Sequence, residues 1–191
     1  NFDLAGMTLG FLEDKKKLNL GKRIKPGDSI VGLKSSGLHS NGYTLARKIL
    51  LEKYQIDDTP EFLSTTVGEE LLKPTAIYTE AVLQVLEAYG KDIHGLAHVT
   101  GGGFTKLRRL NSKVDYVLDK MPSVSGVFKQ MQIDGNVTFE EMYRTFNMGI
   151  GFCLIISKNV VNEVVKMLAQ KKSKGMIVGS IKRNGTGETF V

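Results

Sequence analysis

Three short segments of the chain combine glycine with hydroxyl, amide or imidazole side chains, and these residues have the types and spacing that could do chemistry. The first segment, residues 35–42, reads Ser-Ser-Gly-Leu-His-Ser-Asn-Gly and lies between an apolar run and a helical pattern. Unpaired N–H groups at a helix start attract phosphate, and glycine lets the backbone approach it closely. An ordinary capped turn, with Ser40 or Asn41 as the N-cap, is the alternative.

The second segment, residues 98–103, reads His-Val-Thr-Gly-Gly-Gly and again leads from a strand pattern toward a helix. Three successive glycines cost backbone entropy on folding, so we expect a close contact to offset that cost. The contact could be made with a ligand or with another stretch of backbone. A tight strand-to-helix crossover is therefore the alternative to a binding turn.

The third segment, residues 144–151, reads Arg-Thr-Phe-Asn-Met-Gly-Ile-Gly. Arg144 carries a planar guanidinium that suits phosphate or carboxylate, and Asn147 could recognise an amide or a ribose hydroxyl. The alternative makes Arg144 a surface ion-pair partner and makes Gly149 and Gly151 packing glycines. Alone, this segment does not distinguish the two interpretations.

Composition excludes several classes of function. The formal net charge is +6, from 26 Lys+Arg against 20 Asp+Glu, but the basic residues are scattered and the chain has no Trp, so we predict no nucleic-acid partner. No apolar run approaches the roughly 18 residues of a membrane span. No cluster has metal-ligand spacing, so we predict no metal site, and the P-loop pattern is missing. With Cys153 as the single cysteine, we expect a cytoplasmic protein.

Strand and helix patterns alternate along the whole chain, which predicts one α+β or α/β layered domain over residues 1–191, a mixed sheet covered by helices. Strands are predicted at 3–13, 29–34, 95–100, 114–118 (exposed), 146–157, 176–181 and 188–191, the last after an Asn184-Gly185 hairpin turn. Helices are predicted at 43–54, 68–72, 75–89, 104–110, 123–131, 138–143 and 160–170. Ser123 and Thr138 are the expected N-caps of two of them, and Ile77 is expected on the inward face of helix 75–89.

Taken together and in this order, the three segments resemble one family, the aminoimidazole ribonucleotide synthetases (phosphoribosylformylglycinamidine cyclo-ligases), in their C-terminal domain. The family has Ser-Ser-Gly-x-His-Ser-Asn-Gly, His-Ile-Thr-Gly-Gly-Gly and Met-x-Arg-Thr-Phe-Asn-x-Gly-x-Gly where this chain has residues 35–42, 98–103 and 142–151. The opening Asp-Leu-Ala-Gly and the Lys-Pro-Gly-Asp turn at 25–28 also fit. The resemblance spans nearly the whole chain.

The resemblance implies an ATP-dependent reaction of purine biosynthesis, in which formylglycinamidine ribonucleotide and ATP give aminoimidazole ribonucleotide, ADP and phosphate. It implies ATP and Mg²⁺ as cofactors, a ribonucleotide substrate and a homodimer. The family's N-terminal domain carries an Asp-Gly-x-Gly-Thr-Lys segment associated with the nucleotide, and this sequence does not contain it. We therefore expect the N-terminal ATP-binding domain to be absent and this fragment to be inactive alone.

On this basis we expect the chain to form the wall that faces the ribonucleotide. A cradle for the anionic phosphate would come from the first two segments, and substrate or the transferring phosphoryl group would be held by Arg144 and Asn147. His39 is the candidate for proton transfer or charge stabilisation. The residues of the cradle are Ser35, Ser36, Gly37, Ser40, Asn41, Thr100, Gly101, Gly102 and Gly103.

Two alternatives stay open. The first is another member of the same superfamily, such as formylglycinamidine ribonucleotide synthetase, thiamine-phosphate kinase, selenophosphate synthetase or the hydrogenase maturation dehydratase. The second is a non-catalytic module that binds phosphate or nucleic acid.

Overall fold

The computed structural model describes residues 5–12, 14–15, 18–124, 126–170, 174–183 and 185–191. Its centre is a six-stranded sheet with the strand order β2-β4-β1-β5-β3-β6. The strands are β1 (Ser29–Lys34), β2 (Ile93–His98), β3 (Asp115–Val117), β4 (Ile150–Ile156), β5 (Gly175–Lys182) and β6 (Thr189–Phe190). All pairs are antiparallel except β3 with β6, which is parallel.

Helices cover both faces of this sheet. They are α1 (Tyr43–Lys53), α2 (Val67–Leu71), α3 (Thr79–Tyr89), α4 (Gly126–Asp134), α5 (Phe139–Thr145) and α6 (Val161–Ala169), with a 3₁₀ helix at Gly103–Arg109. Side chains of successive strand residues point to opposite faces, so Ile30 of β1 joins one hydrophobic core while Val31 joins the other. The predicted mixed sheet covered by helices is thereby confirmed.

The larger core lies under α1, α4, α5 and the 3₁₀ helix, and the smaller core lies under α3 and α6. Helix α6 shows how the sequence produces this packing, because Val161, Val164 and Leu168 recur at helical spacing and are buried. Helix α5 begins where Thr138 accepts a hydrogen bond from the N–H of Glu141, as the sequence predicts. Among the described residues, no helix has the length and apolar character needed to cross a membrane.

The predicted strand at 3–13 is wrong over its described part. Residues 5–12 are not in a strand, and the side chains of Met7, Leu9 and Phe11 are more than 90% exposed. Their alternation satisfies the strand pattern, but a strand also needs a neighbour to accept its N–H groups, and the described sheet offers none there. Residues 3, 4 and 13 of this prediction lie outside the described residues.

The C-terminal part of the sheet also differs from prediction. Strand β3 is buried rather than exposed, because it is paired on both sides, with β5 and with β6. Its polar residue Asp115 accepts hydrogen bonds from Thr186 and Gly187 instead of facing water. The predicted hairpin is wrong in its pairing, since β6 runs parallel to β3, and Asn184 lies outside the described residues.

Two helices begin later than the sequence predicts. Helix α3 begins at Thr79 rather than at residue 75, and Ile77 is 86% exposed instead of facing inward. Thr75 and Ala76 are instead hydrogen-bonded to the loop after β1, and Tyr78 is hydrogen-bonded to Lys34 at the end of β1. Helix α4 begins at Gly126, so Ser123 is not its N-cap.

Candidate functional site

The three glycine-containing segments meet at one edge of the sheet. Strand β4 lies between β1 and β2 and is antiparallel to both, so the ends of β1 and β2 lie on either side of the start of β4. Lys34 pairs with Ile150, and His98 pairs with Phe152. The loop 35–42, the turn 99–103 and the connector 145–149 therefore leave the sheet at the same place.

The loop 35–42 starts helix α1 without a side-chain cap. The N-cap is Gly42 in a left-handed conformation (φ 75°), and no side chain bonds the first-turn N–H groups. Ser40 bonds the hydroxyl of Thr75 at 3.1 Å instead, and Asn41 faces Gly101. The capped-turn alternative therefore does not hold, and the positive end of the α1 dipole is left for another acceptor.

Each glycine of the turn 101–103 makes room for a different neighbour. A Cβ atom at Gly101 would lie 3.1 Å from Oδ1 of Asn41, and one at Gly102 would lie 2.5 Å from Cε of Lys106. A Cβ atom at Gly103 would clash with the carbonyl oxygen of Tyr143. The close contacts of these glycines are thus made with the protein, and those of Gly101 and Gly103 join the turn to the other two segments.

Asn147 and Arg144 occupy opposite environments. Asn147 is buried, and its Nδ2 donates to the carbonyl oxygens of Gly37 at 2.8 Å and Leu38 at 3.1 Å. Its Oδ1 accepts the N–H of Gly149 at 2.9 Å, so all its polar atoms contact the main chain. Arg144 is exposed beside the glycine turn and has no ion pair within the described residues, so the surface ion-pair alternative has no support.

His39 is buried, with 3% exposure, and adopts a left-handed backbone (φ 61°). Its Nε2 accepts N–H groups from Ser36 at 3.1 Å and from Ala76 at 3.4 Å. Accepting requires an unprotonated Nε2, so the ring is neutral with its proton on Nδ1, which is buried and has no partner in the described structure. Burial, and then the nearby His98, lower the pKa of His39 to about 4.

Gly151 explains why Nδ1 of His39 does not reach solvent. A Cβ atom at Gly151 would clash with Cε1 of His39 and with the hydroxyl of Tyr78, so both side chains pack directly on this strand glycine. The packing interpretation of Gly151 is therefore the better one. The position of the His39 ring argues against the proton-transfer role predicted from sequence.

Residues 74–78 belong to the site, and sequence reasoning missed them. Ser36 Oγ donates to the carbonyl oxygen of Pro74 at 2.7 Å. The hydroxyl of Tyr78 donates to the carbonyl oxygen of Lys34 at 3.0 Å, and burial raises its pKa. Pro74, which ends the helical pattern of α2, was the available signal that the next residues form a loop.

A cleft of about 490 Å³ opens beside this segment. It is mainly apolar, with the hydroxyl of Thr75 and the imidazole of His98 among its polar groups. The rings of His98 and Phe152 lie 6.0 Å apart, and partial burial lowers the pKa of His98. The lining residues are Thr75, Ala76, Ile77, Tyr78, Thr79, Val82, Leu83, His98 and Phe152.

The described residues at this edge of the sheet do not form a recognisable metal site. Within the described ranges, no group of three His, Cys, Asp or Glu side chains could hold a metal ion. The nearest buried carboxylate, Glu70, lies under Gly37 and forms an ion pair with Lys73. Its charge is thus already balanced inside the fold.

The chain is similar in sequence to known proteins. Residues 25–191 match the sequence profile described as AIR synthase related protein, C-terminal domain. The chain is 45% identical over 183 residues to phosphoribosylformylglycinamidine cyclo-ligase of Methanococcus vannielii, covering 95% of this chain and 52% of that protein. It is 46% identical over 181 residues to the protein of that name in Methanocaldococcus jannaschii, covering 94% and 51%.

The chain therefore spans about half the length of the curated relatives it matches. Among solved structures, the crystal structure of a HypE–HypF complex superimposes with a TM-score of 0.57 at 17% identity, covering 86% of this chain and 50% of that one. At this identity the likeness shows a shared fold and nothing finer.

Proposed function

The chain belongs to the family described as AIR synthase related protein, C-terminal domain, and from this membership we propose that it forms the ribonucleotide-facing half of an ATP-dependent phosphoribosylformylglycinamidine cyclo-ligase. The observation that carries the proposal is the convergence of three segments on one edge of the sheet. Gly101 contacts Asn41, Gly103 contacts the main chain of Tyr143, and Asn147 bonds the carbonyl of Gly37.

The proposed reaction closes an imidazole ring. The formyl amide oxygen of formylglycinamidine ribonucleotide attacks the γ-phosphorus of ATP, and ADP leaves. The resulting iminophosphate has a good leaving group, so the amidine nitrogen attacks its carbon, phosphate departs and a proton is lost to give aminoimidazole ribonucleotide. Catalysis of such a reaction rests on positioning the groups and on neutralising developing negative charge.

We assign the binding of the ligand to the exposed atoms at the sheet edge where the three segments meet. We propose that the uncapped start of α1 and four residues before it, Ser35, Gly37, Ser40 and Asn41, bind an anionic phosphate. Ser36, which the sequence suggests for this cradle, instead donates its N–H to His39 and its hydroxyl to the carbonyl oxygen of Pro74. The turn from Thr100 to Gly103 forms the second side of that cradle. Arg144 is exposed beside the turn, without an acidic partner in the described structure, and supplies positive charge.

His39 and Asn147 act as positioning residues in this proposal. His39 holds Ser36 and Ala76 through their N–H groups, and Asn147 holds the carbonyls of Gly37 and Leu38. Each fixes the loop that meets the ligand without touching the ligand itself. This replaces the proton-transfer role for His39 and the substrate contact for Asn147 that the sequence suggested.

The proposed co-substrate, oligomeric state and location concern the whole enzyme rather than this chain. ATP is proposed as the co-substrate, with most of its contacts outside this chain. No magnesium-dependent step is assigned here, because the described residues provide no cluster of acidic ligands. A homodimer and a cytoplasmic location are proposed on the family resemblance.

A substrate panel tests the proposal. The chain is produced behind the N-terminal half that its relatives have, and release of ADP and phosphate is measured with candidate substrates. We expect turnover with formylglycinamidine ribonucleotide and none with thiamine monophosphate, with selenide, or with formylglycinamide ribonucleotide and glutamine. Turnover with one of the latter instead would move the protein to another branch of the superfamily.

A non-catalytic nucleic-acid module is the competing class of function. It predicts oligonucleotide binding whose affinity falls steeply as salt is added, since such binding releases counterions. Tight, salt-sensitive oligonucleotide binding together with no turnover in the panel would favour that class.

A further inference from the structure

We propose that Lys106 is a binding residue of the anion cradle, where its ammonium group neutralises a phosphoryl group held at the turn 101–103. This inference rests on the proposed function, because it names the cation that completes the proposed phosphate site. The resemblance that identified the other site residues does not include Lys106.

The contact with Gly102 carries the inference. A Cβ atom at Gly102 would lie 2.5 Å from Cε, 3.2 Å from Cδ and 3.3 Å from Cγ of Lys106. The alkyl chain of the lysine therefore lies along the bare face of this glycine, whose φ of +92° also disfavours a side chain. Without a glycine at 102, the lysine could not lie across the turn.

This position places Lys106 between the other parts of the cradle. Gly101, on one side of Gly102, faces Oδ1 of Asn41 in the loop 35–42. Gly103, on the other side, faces the main chain of Tyr143 and Arg144. The lysine thus lies against the middle glycine of the turn whose two neighbours contact the loop 35–42 and α5.

The charge of Lys106 is not balanced locally. In the described part of the chain, Lys53 is paired with Asp134 and Lys73 with Glu70, whereas Lys106 has no acidic partner within ion-pair distance. The loop 35–42 contains no Lys or Arg of its own. A phosphate monoester carries about 1.5 to 2 negative charges at pH 7, so an uncapped helix start alone would leave much of that charge unneutralised.

Arg144 and Lys106 then flank the same glycine turn from two elements, α5 and the 3₁₀ helix that packs against it. Both side chains lack an acidic partner in the described structure. Two unpaired cations on elements that adjoin this turn create a local positive field that favours a phosphorylated anion over a neutral sugar.

Isothermal titration of the chain with ribose 5-phosphate tests the inference. The variants are Lys106→Met and Lys106→Arg. The control is Lys166→Met, because Lys166 is exposed on helix α6, on the other face of the sheet. We expect Lys106→Met to raise the Kd by about tenfold, the loss of one charge-assisted contact. Lys106→Arg should keep most of the affinity, and Lys166→Met should keep all of it. Thermal melting of each variant verifies that it is folded.

Salt dependence separates charge from packing. Added NaCl should weaken binding by the unaltered chain more than binding by Lys106→Met, because one ion pair fewer is screened. Equal affinity of Lys106→Met and the unaltered chain overturns the inference and leaves the proposed function standing. Equal losses in Lys106→Met and Lys106→Arg also overturn it, since the effect would then be one of shape. If the unaltered chain shows no saturable binding, both the inference and the proposed function fail.

Discussion

Asn147 donates a 2.8 Å hydrogen bond from Nδ2 to the carbonyl oxygen of Gly37, although 110 positions separate the two residues. The same amide group donates to Leu38 and accepts from Gly149. A glycine-containing loop has many accessible conformations, so a buried amide that holds two of its carbonyls fixes the shape that a ligand meets.

Replacing Asn147 with Asp tests this relationship. The carboxylate keeps the size of the side chain but replaces the donor with an acceptor that faces two carbonyl oxygens. We expect a loss of about 2 kcal/mol in the free energy of unfolding, measured by urea denaturation, together with weaker binding of ribose 5-phosphate. Asn159→Asp, at an exposed position, is the control, and equal stability of the two variants would show that the buried amide does not hold the loop.

Gly103→Ala tests the role of the glycine turn as a junction. The new methyl group would clash with the carbonyl oxygen of Tyr143, and the φ of +51° is strained for alanine. We expect a loss of about 3 kcal/mol in the free energy of unfolding. Gly10→Ala, which has open space around its Cβ position, should leave stability nearly unchanged. A stable Gly103→Ala protein would mean that the turn and α5 are not in contact.

The pH dependence of stability tests the neutral state of His39. Its pKa is about 4 in the folded chain against an ordinary value of 6.5, so the unfolded chain binds the extra proton between these values. The stability that His39 contributes is therefore fully present above pH 6.5 and is lost as the pH falls toward 4.

We expect the free energy of unfolding to decrease from pH 7 to pH 5, and to decrease less in His39→Gln, which cannot titrate. Urea denaturation at each pH measures both curves, and the difference between them removes the contributions of other titrating groups. Parallel curves for the two proteins would contradict a buried, neutral His39.

Arg144→Met tests a residue that is proposed to bind the ligand without stabilising the fold. Its side chain is exposed and has no ion pair in the described structure, so we expect the urea midpoint to stay the same. The affinity for ribose 5-phosphate should fall by about tenfold. A change in stability with unchanged affinity would reverse this assignment.

Local patterns predicted much of the fold. The apolar run at 29–34 and the valine and leucine spacing of α6 correspond to observed elements, because such patterns decide which face of an element is buried. The strand predicted at 3–13 is wrong over its described part, because the alternation of Met7, Leu9 and Phe11 says nothing about whether a partner strand is present. Pairing is a property of the whole sheet and not of one segment.

The candidate site can be predicted from the sequence only in part, because its contacts also depend on the whole fold. Glycine and hydroxyl residues marked the loop 35–42 and the turn 101–103, but sequence could not say what each glycine faces. Residues 74–78 were missed because their role depends on hydrogen bonds to Ser36, His39 and Ser40, more than 30 positions earlier. The contact of Lys106 with Gly102 could not be predicted from the sequence, although the two residues lie at helical spacing, because it depends on a left-handed turn.

We propose that the loop 35–42 and the turn 101–103 form one anion site. This proposal is tested most directly by adding ribose 5-phosphate to the ¹⁵N-labelled chain and following the amide resonances. We predict saturable shifts at Gly37, Asn41 and Gly101 to Gly103 that share one Kd. If these amides do not move, and shifts occur instead at the separate depression on α1 formed by Tyr43, Thr44, Arg47, Lys48 and Leu51, the account is contradicted.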